Sequence, residues 1–252
     1  TYLGTTDTAY EGDPAASGVT PADAEELFSL IGRIMPSPGL RHDRIVSAWS
    51  GVRPLVRATA DPGDDSTVEL SRSHRLVETE SGVLALVGGK LTTYRAMAEE
   101  AVDRIESRLG LKLPRCSTHR RPLVPGEPLT AAELGMPHVA ELAHRHGPLA
   151  RELAARIERD PNLGARLVPD LPYLWVEVDH AIAAEGCVHV EDILRRRLPL
   201  ALTDGELGVR VVRPVAERLV DAWGGSAGTV DEEIERYREH MHRETGRTLA
   251  PC

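Results

Sequence analysis

Cysteine, lysine, long apolar runs and net positive charge are all scarce in this chain of 252 residues, and each shortage removes a class of function. The three cysteines, Cys116, Cys187 and Cys252, lie far apart with no C-x-x-C pair. An odd and scattered set supports neither a disulfide framework nor a zinc knuckle, and it points to a reducing, cytoplasmic setting. No apolar run approaches the ~20 residues that a helix needs to cross a bilayer, and no leader-like segment opens the chain, so a soluble or at most peripheral protein is expected. The formal net charge of -9 has the wrong sign for binding a phosphate backbone, which excludes nucleic acid as a main partner. Lysine occurs only at Lys90 and Lys112. Either Lys90 is retained for chemistry, or codon bias explains the scarcity. Two glycine signatures are missing as well, G-x-G-x-x-G and G-x-x-x-x-G-K-[ST]. The opening, "TYLGTTDTAY", reads as the middle of a strand running into a turn, so the sequence is expected to be a fragment.

What is present centres on "GVLALVGGKLTTYRAMAEEAVDRI", residues 82–105. Val83 to Val87 form a continuous apolar run of strand length, bounded by Gly82 and by Gly88 and Gly89, which predicts a strand buried on both faces in a packed α/β layer. From Tyr94 the period changes: Ala98, Ala101, Val102, Ile105 and Leu109 fall on one helical face. Thr92 or Thr93 is the expected N-cap, and Gly110 the stop. A glycine turn that opens a helix presents unpaired N–H groups and a partial positive charge, suited to phosphate, carboxylate or a reduced flavin. The same glycines would equally serve only to bring two backbones close.

Earlier segments add a helix at "TPADAEELFSLIGRIM", with Thr20 as cap, Pro21 at the first position, Asp23 completing a capping box, and Leu27, Leu30, Ile31 and Ile34 as the buried stripe. "RIVSAWSGVRPLV" reads as a strand ending at Gly51, with Arg53 held extended before Pro54. "VELSRSHRLVETESG" reads as short strands that place Arg72 and His74 on one side. Arg53, Arg72 and Lys90 would bind a dianion if they converge, and are ordinary surface cations if they do not. A linker rich in proline and charge spans 115–128. It divides a first region, 1–114, from a second, 129–252, whose segments carry helical stripes bounded by Pro or Gly. There "TAAE" and the pair Thr229/Glu232 are read as capping boxes, and Pro214 as a kink or the start of a new helix. His144/His146 and His240/His242 have i, i+2 spacing, which aims the rings at different faces of a helix, so no metal site is expected. Arg195, Arg196 and Arg197 sit near a helix end, where the dipole favours cations, with an anion site as the alternative.

The motifs "GTTDTAYEGDP", "WSGVRPL", "SRSHRL" and "GGKLTTYRAMAE", in this order, resemble the C-terminal half of FAD-dependent glycerol-3-phosphate dehydrogenases, and "LWVEVDHAIAAEGCVHVEDILRRRLPLAL" resembles that family's helical C-terminal domain. The resemblance implies an α+β fold: the α/β sheet portion of a flavin-dependent oxidoreductase, with a partial FAD and substrate domain, followed by an all-α domain. It implies oxidation of glycerol 3-phosphate to dihydroxyacetone phosphate by hydride transfer to FAD, with a quinone as the next acceptor. Arg53 would sit at the reacting end of the substrate, and Arg72 and Lys90 on its phosphate. Gly88, Gly89, Lys90, Leu91 and Thr92 would face the flavin, and His74 is the candidate base. The Rossmann half that binds the FAD pyrophosphate in that family has no counterpart here and becomes an expected partner. A location peripheral to the inner face of a membrane and a homodimer are further expectations. A glycerol-3-phosphate oxidase using oxygen, and a non-catalytic helical interaction module, are the alternatives.

Overall fold

The computed structural model describes residues 1–35, 39–53, 55, 73–124, 126–246 and 249. Contacts divide the chain into two units, one formed by 1–51 with 126–252 and the other by 52–125. The boundary after residue 125 falls inside the expected 115–128 linker. The first 51 residues, however, group with the helices rather than with the sheet. Their tie is backbone: Val19 N–H donates to the Glu244 carbonyl at 3.2 Å, and Gly18 lies where a Cβ would come within 2.6 Å of the Arg243 carbonyl oxygen.

In the first unit, helix α1 (Pro21–Ile34) starts as the sequence predicts, with the reciprocal Thr20–Asp23 box and Pro21 in the first turn. Its expected buried stripe is not buried, since Leu30 is 40% and Ile34 69% exposed. The strand expected at 44–51 is replaced by a 3-10 turn at His42–Arg44 and extended backbone with no ladder among the described residues.

Residues 131–245 carry helices: α3 (Ala131–Leu134), α4 (Val139–His146), α5 (Ala150–Arg159), α6 (Trp175–Ala184), α7 (Leu200–Thr203), α8 (Val212–Trp223) and α9 (Ala227–Thr245). Thr130 and Glu133 form the predicted box at α3. Pro214 resolves as a first-turn residue of α8, where its missing N–H costs no intrahelical bond. The Thr229/Glu232 box does not form, because α9 begins earlier, at Ala227, and leaves Thr229 inside its first turn. A π-helical turn at Asp192–Arg197 carries the three arginines, and none of them is an open anion site. Arg195 pairs with Glu244 at 2.6 Å, Arg196 with Glu191 at 2.9 Å and Asp192 at 2.7 Å, and Arg197 donates to the Glu185 carbonyl at 2.8 Å.

Two apolar clusters fill this region. One joins α4 and α5 to the start of α6 through Leu142, Leu153, Ile157, Leu174 and Val176. The other packs α6 to α9 through Val178, Ile193, Leu194, Leu219, Ile234 and Tyr237. Tyr237 is buried, and its hydroxyl donates to the Leu207 carbonyl at 2.5 Å; burial drives its pKa far above the usual phenol value.

The 52–125 unit holds the only ladder strands among the described residues, an antiparallel pair of β1 (Arg75–Glu78) and β2 (Leu84–Val87), followed by α2 (Tyr94–Leu109). Arg75 opposes Val87 and Glu78 opposes Leu84. The expectation that β2 is buried on both faces is corrected: Leu86 and Val87 are 39% and 36% exposed, since a two-stranded hairpin with one helix packed on it cannot cover both sides.

Candidate functional site

The glycine junction is built as the sequence suggests and for identifiable reasons. Gly88 and Gly89 have φ of 72° and 90°, conformations that L residues with side chains rarely adopt. A Cβ on Gly89 would also lie 2.5 Å from Met97 Cε and 3.0 Å from His74 Cβ. The backbone then extends through Lys90 into a 3-10 turn, Leu91–Thr93, that runs directly into α2. Thr93 occupies the predicted cap position but does not cap. Its hydroxyl donates instead to the Lys90 carbonyl at 3.0 Å and reaches Met97 Sδ at 3.4 Å. Neither Lys90 nor Thr93 gives the helix start a side-chain acceptor, and Lys90, Leu91, Thr92 and Tyr94 are all exposed there. The partial positive end of α2 is thus presented without a side-chain cap.

His74 lies against this turn, and its Nε2 is 2.7 Å from Glu100 Oε2 on α2. Glu100 escaped sequence reasoning. The available signal was helical spacing, because Thr93, Met97, Glu100, Arg104 and Arg108 follow one another at i+3 or i+4 and form the face that meets the hairpin. Arg108 bonds Glu78 at 2.9 Å and the Gly82 carbonyl at 2.6 Å, and Arg104 approaches Glu78 at 3.8 Å. The face of α2 against the sheet is therefore polar. The predicted apolar stripe sits about a third of a turn around the helix at 100° per residue, with Val102, Ile105 and Leu109 at 49%, 40% and 63% exposure. Of the predicted site residues, His74, Gly88, Gly89, Lys90, Leu91 and Thr92 share this junction. Arg53 belongs to the same unit and is exposed. Arg72 lies outside the described residues.

The helical region carries a second polar centre. Glu177 is fully buried in α6, where it accepts from Arg145 Nε at 2.6 Å, Arg145 Nη2 at 2.9 Å and the Leu174 N–H at 2.8 Å, and meets His146 Nε2 at 2.9 Å. Burial alone would raise its pKa. The His146 and Arg145 hydrogen bonds outweigh that and hold it below the usual glutamate value. The pairs His144/His146 and His240/His242 do not gather as pairs. His146 instead stands near His180 and Glu185, partners from another helix that i, i+2 spacing could not reveal.

Comparison with known proteins now gives this geometry a context. Residues 83–230 match the C-terminal domain of alpha-glycerophosphate oxidase. The chain is 31% identical over 253 residues to glycerol-3-phosphate dehydrogenase 2 of Mycobacterium tuberculosis, covering 96% of this chain and 42% of that protein. It is 30% identical over 256 residues to a glycerol-3-phosphate dehydrogenase of Synechocystis, covering 96% and 45%. A probable mitochondrial glycerol-3-phosphate dehydrogenase of Caenorhabditis elegans is 33% identical over 272 residues, covering 98% and 36%. The chain spans about two fifths of the length of these relatives.

Proposed function

The chain belongs to the family of the C-terminal domain of alpha-glycerophosphate oxidase, and on that footing we propose that it forms the substrate-side portion of an FAD-dependent glycerol-3-phosphate dehydrogenase. The observation that carries the reading is the helix start at Gly88–Thr93, open to an electron-rich group and flanked by Lys90 and by a histidine–carboxylate pair. These residues fit one edge of a flavin: paired glycines permit close backbone approach, and a helix N-terminus without a side-chain cap stabilises negative charge on a bound ring. FAD, when bound, supplies the two-electron acceptor. Gly88, Gly89, Lys90, Leu91 and Thr92 would hold its ring edge.

Within this reading Lys90 and Arg72 hold the phosphate of glycerol 3-phosphate as a pair of charge-assisted donors. Arg53 orients the C2 oxygen, and its planar fork stabilises charge developing there. His74 takes the proton of the C2 hydroxyl, and Glu100 at 2.7 Å fixes the imidazole for that task. The product is dihydroxyacetone phosphate. A quinone is the next acceptor, at the inner face of a membrane to which a cytoplasmic, homodimeric enzyme binds peripherally. The FAD-binding half is the partner of this unit, and the uncovered apolar faces of α2 and β2 are where it would dock. The match to a glycerophosphate oxidase domain favours a second reading with oxygen as acceptor. Peroxide release measured against quinone reduction separates the two.

The test is rapid-mixing flavin reduction in the assembled enzyme. Arg53→Ala should slow reduction at saturating substrate more than it weakens binding of a phosphate-bearing product analogue, and Arg53→Lys should restore only part of the rate. Lys90→Ala should instead weaken substrate capture, by roughly 2 to 5 kcal/mol. His74→Asn should cost about 10²- to 10⁴-fold in the reduction rate. Normal reduction at saturation in Arg53→Ala would overturn its assignment.

A further inference from the structure

The centre around Glu177 offers more than an ion pair. We propose that His146, His180 and Glu185 form a site for a divalent first-row transition metal, zinc(II) being the probe of choice, that fastens the C-terminal end of α4 to α6. One ligand atom from each residue lies within 4.8 Å of the other two. His146 is the last residue of α4, His180 lies in the middle of α6, and Glu185 follows α6 as its C-cap. The metal would therefore bridge segments belonging to both apolar clusters.

The donor set is chemically apt. Two imidazoles and a carboxylate are a recurrent zinc ligand set, with the fourth position left to water. His146 is already oriented: its Nε2 meets buried Glu177 at 2.9 Å, so Nδ1 is the nitrogen left to coordinate. A carboxylate holding the far side of a ligating imidazole is the usual outer support of such sites, and here it is locked in turn by Arg145. The two rings do not stack, but meet edge to face at 87° with centroids 5.7 Å apart. His180 Nε2 and Glu185 Oε1 stand 3.6 Å apart, too long for a hydrogen bond. It is close to the roughly 3.4 Å between ligands on a tetrahedral zinc with bonds of about 2.1 Å. No separation among the three ligand atoms exceeds 4.8 Å, so closure needs at most about 1.4 Å, which rotation of Glu185, the most exposed of the three side chains at 31%, can supply.

Cations nearby oppose the metal. Arg197 lies 3.9 Å from Glu185 Oε2, and Arg156 acts on His180. Their positive charge favours modest affinity and a metal high in the Irving–Williams order over magnesium or calcium.

The test uses the full chain, stripped of metal and titrated with zinc(II), with bound zinc counted after dialysis. Cobalt(II) absorption reports coordination geometry. The expected result is one zinc per chain, visible bands of a tetrahedral cobalt(II) centre, and a melting temperature raised by zinc. His180→Asn should abolish all three, and Glu185→Gln, an isosteric change at a half-buried helix end, should weaken zinc at least tenfold. Glu177→Gln should weaken it by about 10- to 100-fold by releasing His146. No stoichiometric binding would overturn the proposal. So would zinc binding that is unchanged in both His180→Asn and Glu185→Gln, which would mark coordination by other surface histidines.

Discussion

The two parts of this chain treat their apolar residues in opposite ways. Among the described residues every buried apolar side chain lies between Val139 and Met241, whereas the 52–125 unit leaves Val83, Leu91, Val102 and Leu109 between 49% and 89% exposed. Both parts are patterned for helices and both form them. The difference is what stands opposite. In α8 the stripe Val212, Val215, Ala216, Leu219 and Val220 meets α9 and α6 and disappears from solvent. In α2 the helix is held to its hairpin by Arg104, Arg108 and Glu100, and its apolar stripe faces away. A helical region with its own core is a support. A hairpin and helix joined by polar contacts, with apolar faces uncovered, lacks such a core, and it carries the junction proposed above to face the flavin.

The contrast can be broken most forcefully at the polar centre of the helical region. Glu177→Ala removes a fully buried carboxylate from half-buried Arg145 and His146 and leaves a cavity, and should cost about 3 to 5 kcal/mol in urea unfolding. The pH dependence follows from the same group. Its folded pKa lies below the ordinary 4.5, so its contribution is present above about pH 4.5 and is lost as the pH falls through the lower folded value. Glu133, held at about 2 by Arg151 and by the Thr130 cap, changes in the same direction. Stability should fall on acidification below pH 4.5, and Glu177→Gln should flatten that slope.

Next in size, Leu219→Ala or Leu153→Ala should cost about 2 to 5 kcal/mol, because each side chain is fully enclosed. Gly89→Ala should cost about 1 to 3 kcal/mol locally in the 52–125 unit, from its φ of 90° and the contact with Met97 and His74. Smallest of all, Leu109→Ser in the isolated chain should change stability by no more than about 0.5 kcal/mol. A large loss at Leu109 would mean that its face is covered after all.

How far the sequence could be read follows the same division. In the helical region most local signals hold: Thr130 with Glu133 and the arginines at 195–197 behave as their spacing implies, and Pro214 takes the helix-start alternative, since caps, prolines and helix-end cations act over a few residues; the Thr229/Glu232 box fails because α9 starts two residues before Thr229. The Gly88–Gly89 turn was legible for the same reason. The burial expectations that failed needed a partner. A continuous apolar run at 83–87 says that a strand tolerates burial on both faces, not that a second layer is present. The stripe of α2 likewise says which residues can be buried, not which face the hairpin takes. Glu100 beside His74, 26 positions away, and His180 beside His146, 34 positions away, are tertiary encounters that no local period encodes.

Amide hydrogen exchange on the chain by itself tests the central contrast most directly, since it reads local opening segment by segment. Helices α5, α6, α8 and α9 should be protected to the level of global unfolding, while β2 and α2 exchange through openings far less costly and gain protection only when the FAD-binding half is added. Protection of β2 and α2 in the chain alone equal to that of α8 would contradict the account.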